Sequence, residues 1–291
     1  MNKDELEKIK FKGDVKPNWC PGCGDYGLLS ATTSVLSDLG YQPNETVIIS
    51  GIGCSSSFPH WTSAYGIHMI HGRALPAAYG LHMVNPSLKI IVAGGDGDGY
   101  GIGVGHFIHT ARRNINIVYM VMNNQIYGLT LGQSSPSSQQ GHITLTTPSG
   151  VDERPINPIS LALGAGATFV ARGFSGDTKH LRYLIERALN HKGFSFIDVL
   201  SPCVTFNKLN TFQWFKQRVY KLEDINFDKS NLSDAFSRSL EWGEKIPTGI
   251  FYETTIPTLD ETDPVARNKI VVKEKLGLDN IDRNSIFDYF R

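Results

Sequence analysis

Two apolar runs, each followed by a polar motif, constrain the fold of this 291-residue chain most strongly. Residues 88–93 read Leu-Lys-Ile-Ile-Val-Ala and lead into a Gly-Asp-Gly triplet that ends at Gly97, and residues 115–122 lead into an asparagine pair that ends at Asn124. Short apolar runs of this kind predict buried parallel strands. Because the 26 residues between Gly97 and Asn124 suffice for one crossover helix and one strand, we expect both motifs at one edge of a sheet.

The remaining sequence alternates helix-like and strand-like segments. We expect helices over residues 26–39, 76–84, 103–113, 159–163 and 177–191, and further strands over residues 46–49, 168–171 and 194–200. Alternating α and β units predict an α/β fold with a doubly wound, mostly parallel sheet. Since 41% of the residues are hydrophobic, a chain of this length can bury the core of one large domain.

Two segments depart from this alternation. Residues 132–158 form a polar stretch longer than most loops, and loops of such length are commonly functional or mobile. From about residue 211 the sequence becomes charged and loses its glycine-rich turns. We therefore expect a cofactor domain over residues 1–210 and an irregular C-terminal arm over residues 211–291 that contacts the core or another subunit. An ordinary C-terminal subdomain is the alternative.

The polar motifs after the two central strands suit a metal-bound diphosphate. Glycines beside Asp96 let the backbone approach a phosphate group. A hard cation such as Mg²⁺ prefers oxygen ligands, and the Asp96 carboxylate, the Asn124 amide and the Ile126 carbonyl would supply them. A Gly-Asp-Gly triplet alone more often marks a simple turn, so the interpretation depends on the asparagines that follow the neighbouring strand.

The four cysteines form a second candidate site. Cys20 and Cys23 make a C-x2-C pair on a glycine-rich turn, whereas Cys54 and Cys203 each follow a predicted strand. The charged start of the chain, residues 1–12, does not resemble a signal peptide, so we expect a reducing cytoplasm in which disulfides are disfavoured. Zinc, an iron-sulfur cluster and unrelated buried thiols stay open, because spacing alone does not choose between iron and zinc.

Both candidate sites coincide with the motifs of one family. The chain resembles the β subunit of the 2-oxoacid:ferredoxin oxidoreductases, and the motifs run in family order from about residue 17 to residue 203. The resemblance rests on Trp19-Cys20-Pro21-Gly22-Cys23-Gly24, Gly51-Ile52-Gly53-Cys54-Ser55-Ser56, His71-Gly72-Arg73-Ala74, Gly95-Asp96-Gly97-Asp98 and Asn123-Asn124-Gln125-Ile126-Tyr127-Gly128-Leu129-Thr130.

The resemblance implies the oxidative decarboxylation of a 2-oxoacid on thiamine diphosphate and Mg²⁺, with a [4Fe-4S] cluster as electron acceptor and coenzyme A as co-substrate. The implied cluster ligands are Cys20, Cys23, Cys54 and Cys203. The implied Mg²⁺ ligands are Asp96, Asn124 and the carbonyl of Ile126. The residues expected to contact the cofactor are Gly53, Cys54, Ser55, Gly95, Asp96, Gly97, Asp98, Asn124, Ile126, Gly128, Leu129 and Thr130.

Four positions bear on the substrate. His71 and Arg73 lie on a loop that enters a predicted helix, where a proton carrier and a cation could face the bound 2-oxoacid. The chain departs from the family at Ser57, where many members carry a basic residue that would meet a substrate carboxylate. Leu129 stands where pyruvate-specific relatives have asparagine, which implies a wider pocket. We expect 2-oxoglutarate to be favoured, with pyruvate or a broad range of 2-oxoacids as the alternative.

The resemblance also implies partners. The glutamate that contacts the pyrimidine ring belongs to a separate domain that this chain does not show, which implies an α subunit and an αβ or (αβ)2 assembly. An external ferredoxin should receive the electrons, because the chain has cysteines for one cluster only. Basic and acidic residues both number 28, so no basic excess indicates nucleic-acid binding. No apolar run has the length of a membrane span.

Two functions of other classes stay open from the sequence. One is a thiamine diphosphate decarboxylase or synthase without redox chemistry, in which the cysteines bind zinc or remain free. The other is a non-catalytic scaffold subunit that has kept the fold. Iron content would separate the first from the oxidoreductase, and the presence of every implied cluster and magnesium position argues against the second.

Overall fold

The computed structural model describes residues 11–264, 266–267, 270–274 and 288. Numbered in chain order, the α-helices are α1 (Asp25–Asp38), α2 (Ala74–Val84), α3 (Val104–Arg113), α4 (Pro158–Gly164), α5 (Thr178–Asn190), α6 (Phe212–Lys216), α7 (Leu232–Ser239) and α8 (Leu259–Thr262). The strands are β1 (Thr46–Ser50), β2 (Tyr65–His68), β3 (Lys89–Gly95), β4 (Val118–Asn123), β5 (Phe169–Phe174), β6 (Ser195–Leu200), β7 (Val219–Lys221) and β8 (Ile246–Glu253). Short 3-10 helices cover Pro43–Glu45, Cys54–Trp61, Glu223–Ile225 and Val271–Lys273, and a π-helix covers Gly97–Ile102.

Within the described residues one eight-stranded sheet has the order β2-β1-β3-β4-β6-β5-β8-β7. The first six strands in this order are parallel, β8 is antiparallel to β5, and β7 is parallel to β8. The register pairs Gly95 with Met122 and Asn123 with Leu200, so β3, β4 and β6 end at the same edge. The expectation of a doubly wound, mostly parallel α/β sheet is confirmed.

Side chains alternate along each central strand and fill a core on both faces. In β3, Ile91 and Ala93 pack with residues of α1 and α5, whereas Ile90 and Val92 pack with residues of α2, α3 and α4. Successive side chains of a strand point to opposite faces, so a strand covered on both faces must be apolar at nearly every position. The helices on both faces therefore explain why four successive residues of β3, 90–93, are apolar and fully buried.

The C-terminal region differs from the expected irregular arm. Strands β7 and β8 complete one edge of the central sheet. Ile250 and Phe251 of β8 are buried in the two cores that the parallel strands also fill. These two strands therefore belong to the central sheet, because β8 pairs with β5 and β7 pairs with β8. The division of the chain at residue 210 stays a prediction.

Several local elements were not expected from the sequence. The 3-10 helix after β1 and the exposed edge strand β2 lack a clear periodic signal. The π-helix begins directly after Asp96 and returns the chain towards the loop after β1. None of the described helices combines the length and the apolar character needed to cross a membrane.

Candidate active site

Four neighbouring strands place their following loops at one edge of the sheet. Strands β1, β3, β4 and β6 lie side by side and run in the same direction. The loops after them carry Cys54, Asp96, Asn124 and Cys203. In open parallel sheets, ligands bind outside the carboxyl ends of the strands. The topology therefore brings the two candidate sites of the sequence together.

A cavity of about 200 Å³ lies at this edge. Its lining includes all twelve residues that the sequence predicts to contact the cofactor, together with Ile52, His71 and Tyr127. Two larger surface grooves, of about 540 and 790 Å³, contain none of these residues. The shared cavity is a structural observation, whereas the role of each residue towards a cofactor stays a prediction.

Asp96 follows the last residue of β3 and is almost fully buried. The hydroxyl groups of Ser135 and Ser137 donate to its Oδ2 at 2.5 and 2.6 Å. Burial raises the pKa of this carboxyl to about 6, while the two serine hydrogen bonds act in the opposite direction. A buried carboxylate of this kind is stabilised by a nearby cation, which is the property required of a metal ligand.

Asp98, two residues further on, has different surroundings. Its Oδ1 accepts hydrogen bonds from the backbone N–H groups of Ile52 and Gly72 at 2.9 and 2.7 Å, and lies 2.8 Å from His71 Nδ1. These contacts join the π-helix to the loop after β1 and to the loop before α2. The Asp98 carboxylate is thus engaged by protein groups. Its contact with Nδ1 holds the His71 ring on the cavity wall.

Asn124 begins a tight turn after β4. Its Oδ1 accepts a hydrogen bond from the Ile126 N–H at 3.1 Å, and Gln125 between them adopts a left-handed conformation with φ of 58°. Asn207 Nδ2 donates to the Asn124 carbonyl at 3.0 Å. This turn places Asn124 and Ile126 on the wall of the cavity that Asp96 also lines.

Glycine is required at two positions of the cavity. A Cβ atom on Gly97 would lie 2.0 Å from the aromatic ring of Tyr127, whose hydroxyl donates to the Gly97 carbonyl at 3.1 Å. Gly53 has φ of 119°, a conformation that other residues rarely adopt. A side chain at either position would displace a loop that lines the cavity.

The cysteines are free thiols at the same end of the sheet. The Cys23 N–H donates to the Cys20 carbonyl at 3.0 Å, which closes the turn of the C-x2-C pair. The Gly24 N–H donates to the Pro202 carbonyl at 3.1 Å, which joins this turn to the loop of Cys203. Residues far apart in sequence are thus held together by backbone hydrogen bonds.

Two of the thiols meet beside Gly128. A Cβ atom on Gly128 would lie 3.5 Å from Cys54 Sγ and 3.8 Å from Cys203 Sγ. Burial, together with the smaller effect of the Asp25 carboxylate, raises the pKa of the Cys54 thiol to about 11. Burial also raises the pKa of the Cys23 thiol well above its usual range. Thiolates here need a positive group to compensate their charge, which fits a metal-containing site.

The spacing of the side chains bears on the kind of metal group. Among the described residues, no three histidine, cysteine, aspartate or glutamate side chains lie close enough to hold a single ion. Tetrahedral zinc with bonds of about 2.3 Å requires sulfur atoms about 3.8 Å apart. The kind of metal group that the four cysteines hold therefore stays a prediction.

The candidate substrate contacts fall into two groups. His71 and Leu129 line the cavity, whereas Arg73 and Ser57 do not. The Arg73 guanidinium donates to two backbone carbonyl oxygens, the nearer at 3.3 Å, and so stabilises its own loop. The structure therefore supports a substrate contact more directly for His71 and Leu129 than for Arg73.

Sequence reasoning missed the serines that hold Asp96. Ser135 and Ser137 belong to the polar loop between β4 and α4, about forty residues after Asp96 in the chain. The sequence signal for them was the Ser-Ser-Pro-Ser-Ser run at residues 134–138, because clustered hydroxyl groups can satisfy a buried carboxylate. Tyr127, which packs on Gly97, belongs to one of the sequence motifs, but its contact with Gly97 was not predicted.

The donor set fits the groups that the sequence implies. A carboxylate, an amide and a backbone carbonyl, from Asp96, Asn124 and Ile126, share one cavity wall, and oxygen donors of this kind suit Mg²⁺. Gly95 and Gly128 leave the backbone bare in the same cavity, as a diphosphate requires. The thiol of Cys54 lies at the edge of this cavity rather than at a separate site.

Two family models match the chain. Residues 51–199 match the thiamine pyrophosphate enzyme, C-terminal TPP binding domain, and residues 203–268 match the C terminal of the pyruvate ferredoxin oxidoreductase beta subunit. The first match contains the loops after β1, β3 and β4 that line the cavity, and the second begins at Cys203.

Individual relatives agree with these matches. The 2-oxoacid:ferredoxin oxidoreductase subunit beta of Saccharolobus solfataricus is 43% identical over 284 residues, which cover 94% of this chain and 91% of the relative. The 2-oxoglutarate oxidoreductase subunit KorB of Mycobacterium tuberculosis is 46% identical over 205 residues, which cover 70% of this chain and 55% of the relative. The solved 2-oxoglutarate:ferredoxin oxidoreductase from Magnetococcus marinus, with 2-oxoglutarate, coenzyme A and succinyl-CoA bound, is 39% identical, with a TM-score of 0.89 and coverage of 98% of this chain and 96% of that chain. The sequence motifs, the sheet and these matches agree, and the chain belongs to the β subunits of the 2-oxoacid:ferredoxin oxidoreductases.

Proposed function

We propose that this β subunit binds thiamine diphosphate, Mg²⁺ and a [4Fe-4S] cluster, and that with an α subunit it oxidatively decarboxylates a 2-oxoacid. The 2-oxoacid and coenzyme A are converted to acyl-coenzyme A and CO2, and the electron pair that is released reduces an external ferredoxin. Family membership supports the reaction class, and the geometry at the sheet edge supports the cofactors.

One observation carries this proposal. Asp96, Asn124 and Cys54 come from loops after three neighbouring strands and line a single cavity. A diphosphate held at Asp96 and a cluster held at Cys54 are therefore neighbours. In the oxidative reaction the electrons must leave the cofactor one at a time. A one-electron acceptor that lies close to the cofactor is suited to receive them.

The side chains of this chain hold and orient the reactants. Bound thiamine diphosphate supplies the chemistry that releases CO2 and accommodates the electron pair. Asp96, Asn124 and the Ile126 carbonyl would hold Mg²⁺ and thereby the diphosphate. His71, whose Nδ1 is engaged by Asp98 at 2.8 Å, has Nε2 left to hold or move a proton in the cavity.

The exposure of the C-x2-C turn supports electron transfer to an external protein. Cys20 and the adjacent Pro21 are exposed, whereas Cys23, Cys54 and Cys203 are partly covered. A cluster bound by these four residues would lie close to the protein surface. Ferredoxin can then approach it without a further cluster in this chain.

Exposed apolar side chains support a partner subunit. Leu129, Leu131, Ile143 and Leu145 all lie on the loop between β4 and α4, with between 59% and 85% of their surface exposed. Exposed apolar surface of this kind is typical of a subunit interface. We propose that this loop packs against the α subunit, which supplies the pyrimidine-side glutamate in an αβ or (αβ)2 assembly.

The names of the relatives guide the choice of substrate. The Mycobacterium tuberculosis relative is named for 2-oxoglutarate, and the solved Magnetococcus marinus enzyme has 2-oxoglutarate bound. We propose 2-oxoglutarate as the favoured substrate, with Leu129 at the cavity contributing to the choice, and pyruvate or a broad range of 2-oxoacids as the alternative. A location in the cytoplasm stays a prediction from the cysteine chemistry.

The test is an anaerobic assay of the chain co-expressed with its α subunit. Purified complex should be brown, contain iron and thiamine diphosphate, and reduce ferredoxin only when a 2-oxoacid and coenzyme A are both present. A panel of 2-oxoacids then ranks the substrates by kcat/KM. A colourless complex with stoichiometric zinc, or decarboxylation without ferredoxin reduction, would contradict the proposal.

A further inference from the structure

The two oxygens of the Asp96 carboxylate have different surroundings. Oδ2 accepts hydrogen bonds from Ser135 Oγ and Ser137 Oγ at 2.5 and 2.6 Å. The three side chains are buried, with 2%, 6% and 2% of their surface exposed in the order Asp96, Ser135, Ser137. No side chain among the described residues donates to Oδ1, although the backbone N–H groups of residues 96 and 97 also approach the carboxylate.

Ser137 is held in turn by a buried network. Its single hydroxyl proton has two acceptors, Asp96 Oδ2 at 2.6 Å and Asn123 Oδ1 at 2.9 Å, and the contact with Asp96 is the shorter; Asn123 Nδ2 in turn donates to Asp198 Oδ1 at 2.9 Å. Arg172 Nε donates to the other oxygen of Asp198 at 3.1 Å, and this ion pair is almost fully buried. Asn123, which lies against the Ser137 hydroxyl, is therefore anchored to β5 and β6 through Asp198.

Ser135 is held within its own loop. Its backbone N–H donates to Ser138 Oγ at 2.8 Å, and Ser138 Oγ donates to the Gln125 carbonyl at 2.7 Å. Both serine Oγ atoms thus lie beside Asp96 Oδ2 in buried surroundings. A carboxylate oxygen has about two lone-pair positions, so two such donors fill Oδ2.

We propose that Ser135 and Ser137 are positioning residues that restrict Asp96 to one metal-binding oxygen and thereby make the site select Mg²⁺ over Ca²⁺. The inference rests on the proposed role of Asp96 as a Mg²⁺ ligand. Mg²⁺ demands near-octahedral geometry at about 2.0–2.1 Å, whereas Ca²⁺ accepts six to eight ligands at about 2.3–2.6 Å and often takes both oxygens of a carboxylate. With Oδ2 occupied, Asp96 offers the geometry that suits the smaller ion.

Removal of both hydroxyl groups frees Oδ2. The double variant Ser135→Ala/Ser137→Ala should accept Ca²⁺ with both carboxylate oxygens, and its ratio of Ca²⁺ to Mg²⁺ affinity should rise by about tenfold, the size expected for a hydrogen bond to a charged group. Each single variant keeps one donor and should shift the ratio in the same direction by less. Ser137→Thr keeps the hydroxyl and should keep the wild-type ratio.

The experiment measures thiamine diphosphate binding by equilibrium dialysis on the anaerobically purified αβ complex after removal of divalent cations. Mg²⁺ or Ca²⁺ is titrated at fixed thiamine diphosphate, and the half-saturating concentrations give the ratio without any activity measurement. Ser134→Ala is the matched control, because it removes a serine hydroxyl from the same loop, and the side-chain donors to Asp96 among the described residues are Ser135 and Ser137. Its ratio should stay at the wild-type value.

Three results of this experiment would each contradict a different part of the argument. Cation-independent binding in the wild-type complex would remove the proposed role of Asp96 itself. Cation-dependent wild-type binding with an unchanged ratio in the double variant would overturn the serine inference and leave the proposed function intact. An equal shift in Ser134→Ala would assign the effect to loosening of the loop. If the double variant does not fold, the single variants and Ser137→Thr provide the same comparison.

Discussion

The two ends of the cavity are built differently. At the diphosphate end, a continuous buried network runs from Asp96 through Ser137 and Asn123 to Asp198. At the cysteine end the thiols are free, and Asp25 Oδ2 is buried without a hydrogen-bond partner among the described residues. Hydrogen bonds within the protein engage both aspartates at the diphosphate end, although Gln125 Oε1 there has no partner among the described residues, whereas the thiols and Asp25 Oδ2 at the cysteine end are uncompensated.

This difference indicates which end of the cavity depends on a bound metal group for its stability. Buried polar groups without partners are costly, and metal binding to thiolates can offset that cost. We therefore expect the diphosphate end to be preformed and the cysteine end to become stable only with its cluster. Substitutions at the two ends should have separable effects, although Cys54 lines the same cavity as Asp96.

The largest effect is expected at the diphosphate end. Asp96→Ala should abolish retention of thiamine diphosphate and Mg²⁺ in the αβ complex, because the diphosphate loses the carboxylate that binds its cation. Iron content should stay normal, since the cysteines come from other loops. Cofactor and iron analysis of the purified complex checks both statements. Normal thiamine diphosphate stoichiometry would remove Asp96 from the site.

The reciprocal substitution addresses the cysteine end. Cys203→Ser should lower iron content and ferredoxin reduction together, because an alkoxide is a poor substitute for a thiolate ligand. Thiamine diphosphate should be retained, in contrast to Asp96→Ala. Unchanged iron content would show that Cys203 is only a buried thiol. Loss of both cofactors in this variant would show that the two ends are not separable.

A smaller effect should separate the two aspartates. Asp98→Asn should lower the free energy of unfolding by about 1–3 kcal/mol, because the backbone N–H groups of Ile52 and Gly72 lose a charged acceptor. Asp96→Asn is the matched variant, and it should change stability less, since burial already disfavours its charged form. Thermal unfolding of the cofactor-free complex compares them. A larger loss in Asp96→Asn would reverse the assignment of structural and functional roles.

The smallest effect concerns substrate choice near the cysteine end. Ser57 lies three residues after Cys54 and outside the cavity lining, so the longer Ser57→Lys side chain would have to reach into the cavity to pair with the second carboxylate of 2-oxoglutarate, which pyruvate lacks. The ratio of kcat/KM should shift towards 2-oxoglutarate by about tenfold. Cofactor and iron content should not change. A ratio that stays within about twofold would direct attention to Leu129 and the α subunit.

The sequence predicted the central sheet and the Asp96 and Asn124 loops because their signals are local. A strand covered by helices on both faces must be apolar, and the run at residues 88–93 shows this directly. Pairing of β3 with β4 then follows from the length of the crossover. The C-terminal strands were not predicted, because β7 has only three residues and β8 lies among charged segments.

The amino-acid sequence alone indicates which chemical groups follow each central strand and that these strands are parallel. Both properties are visible locally, in the periodicity and in the residue types. The contacts between groups that lie far apart in the sequence are visible only in the tertiary structure. The serines of the long loop meet Asp96 although they lie about forty residues further along the chain, and Cys203, which follows β6, approaches Cys54, which follows β1, because both thiols lie against Gly128 on the loop after β4. Contacts between residues far apart in the chain depend on strand order and loop anchoring, which no local pattern encodes.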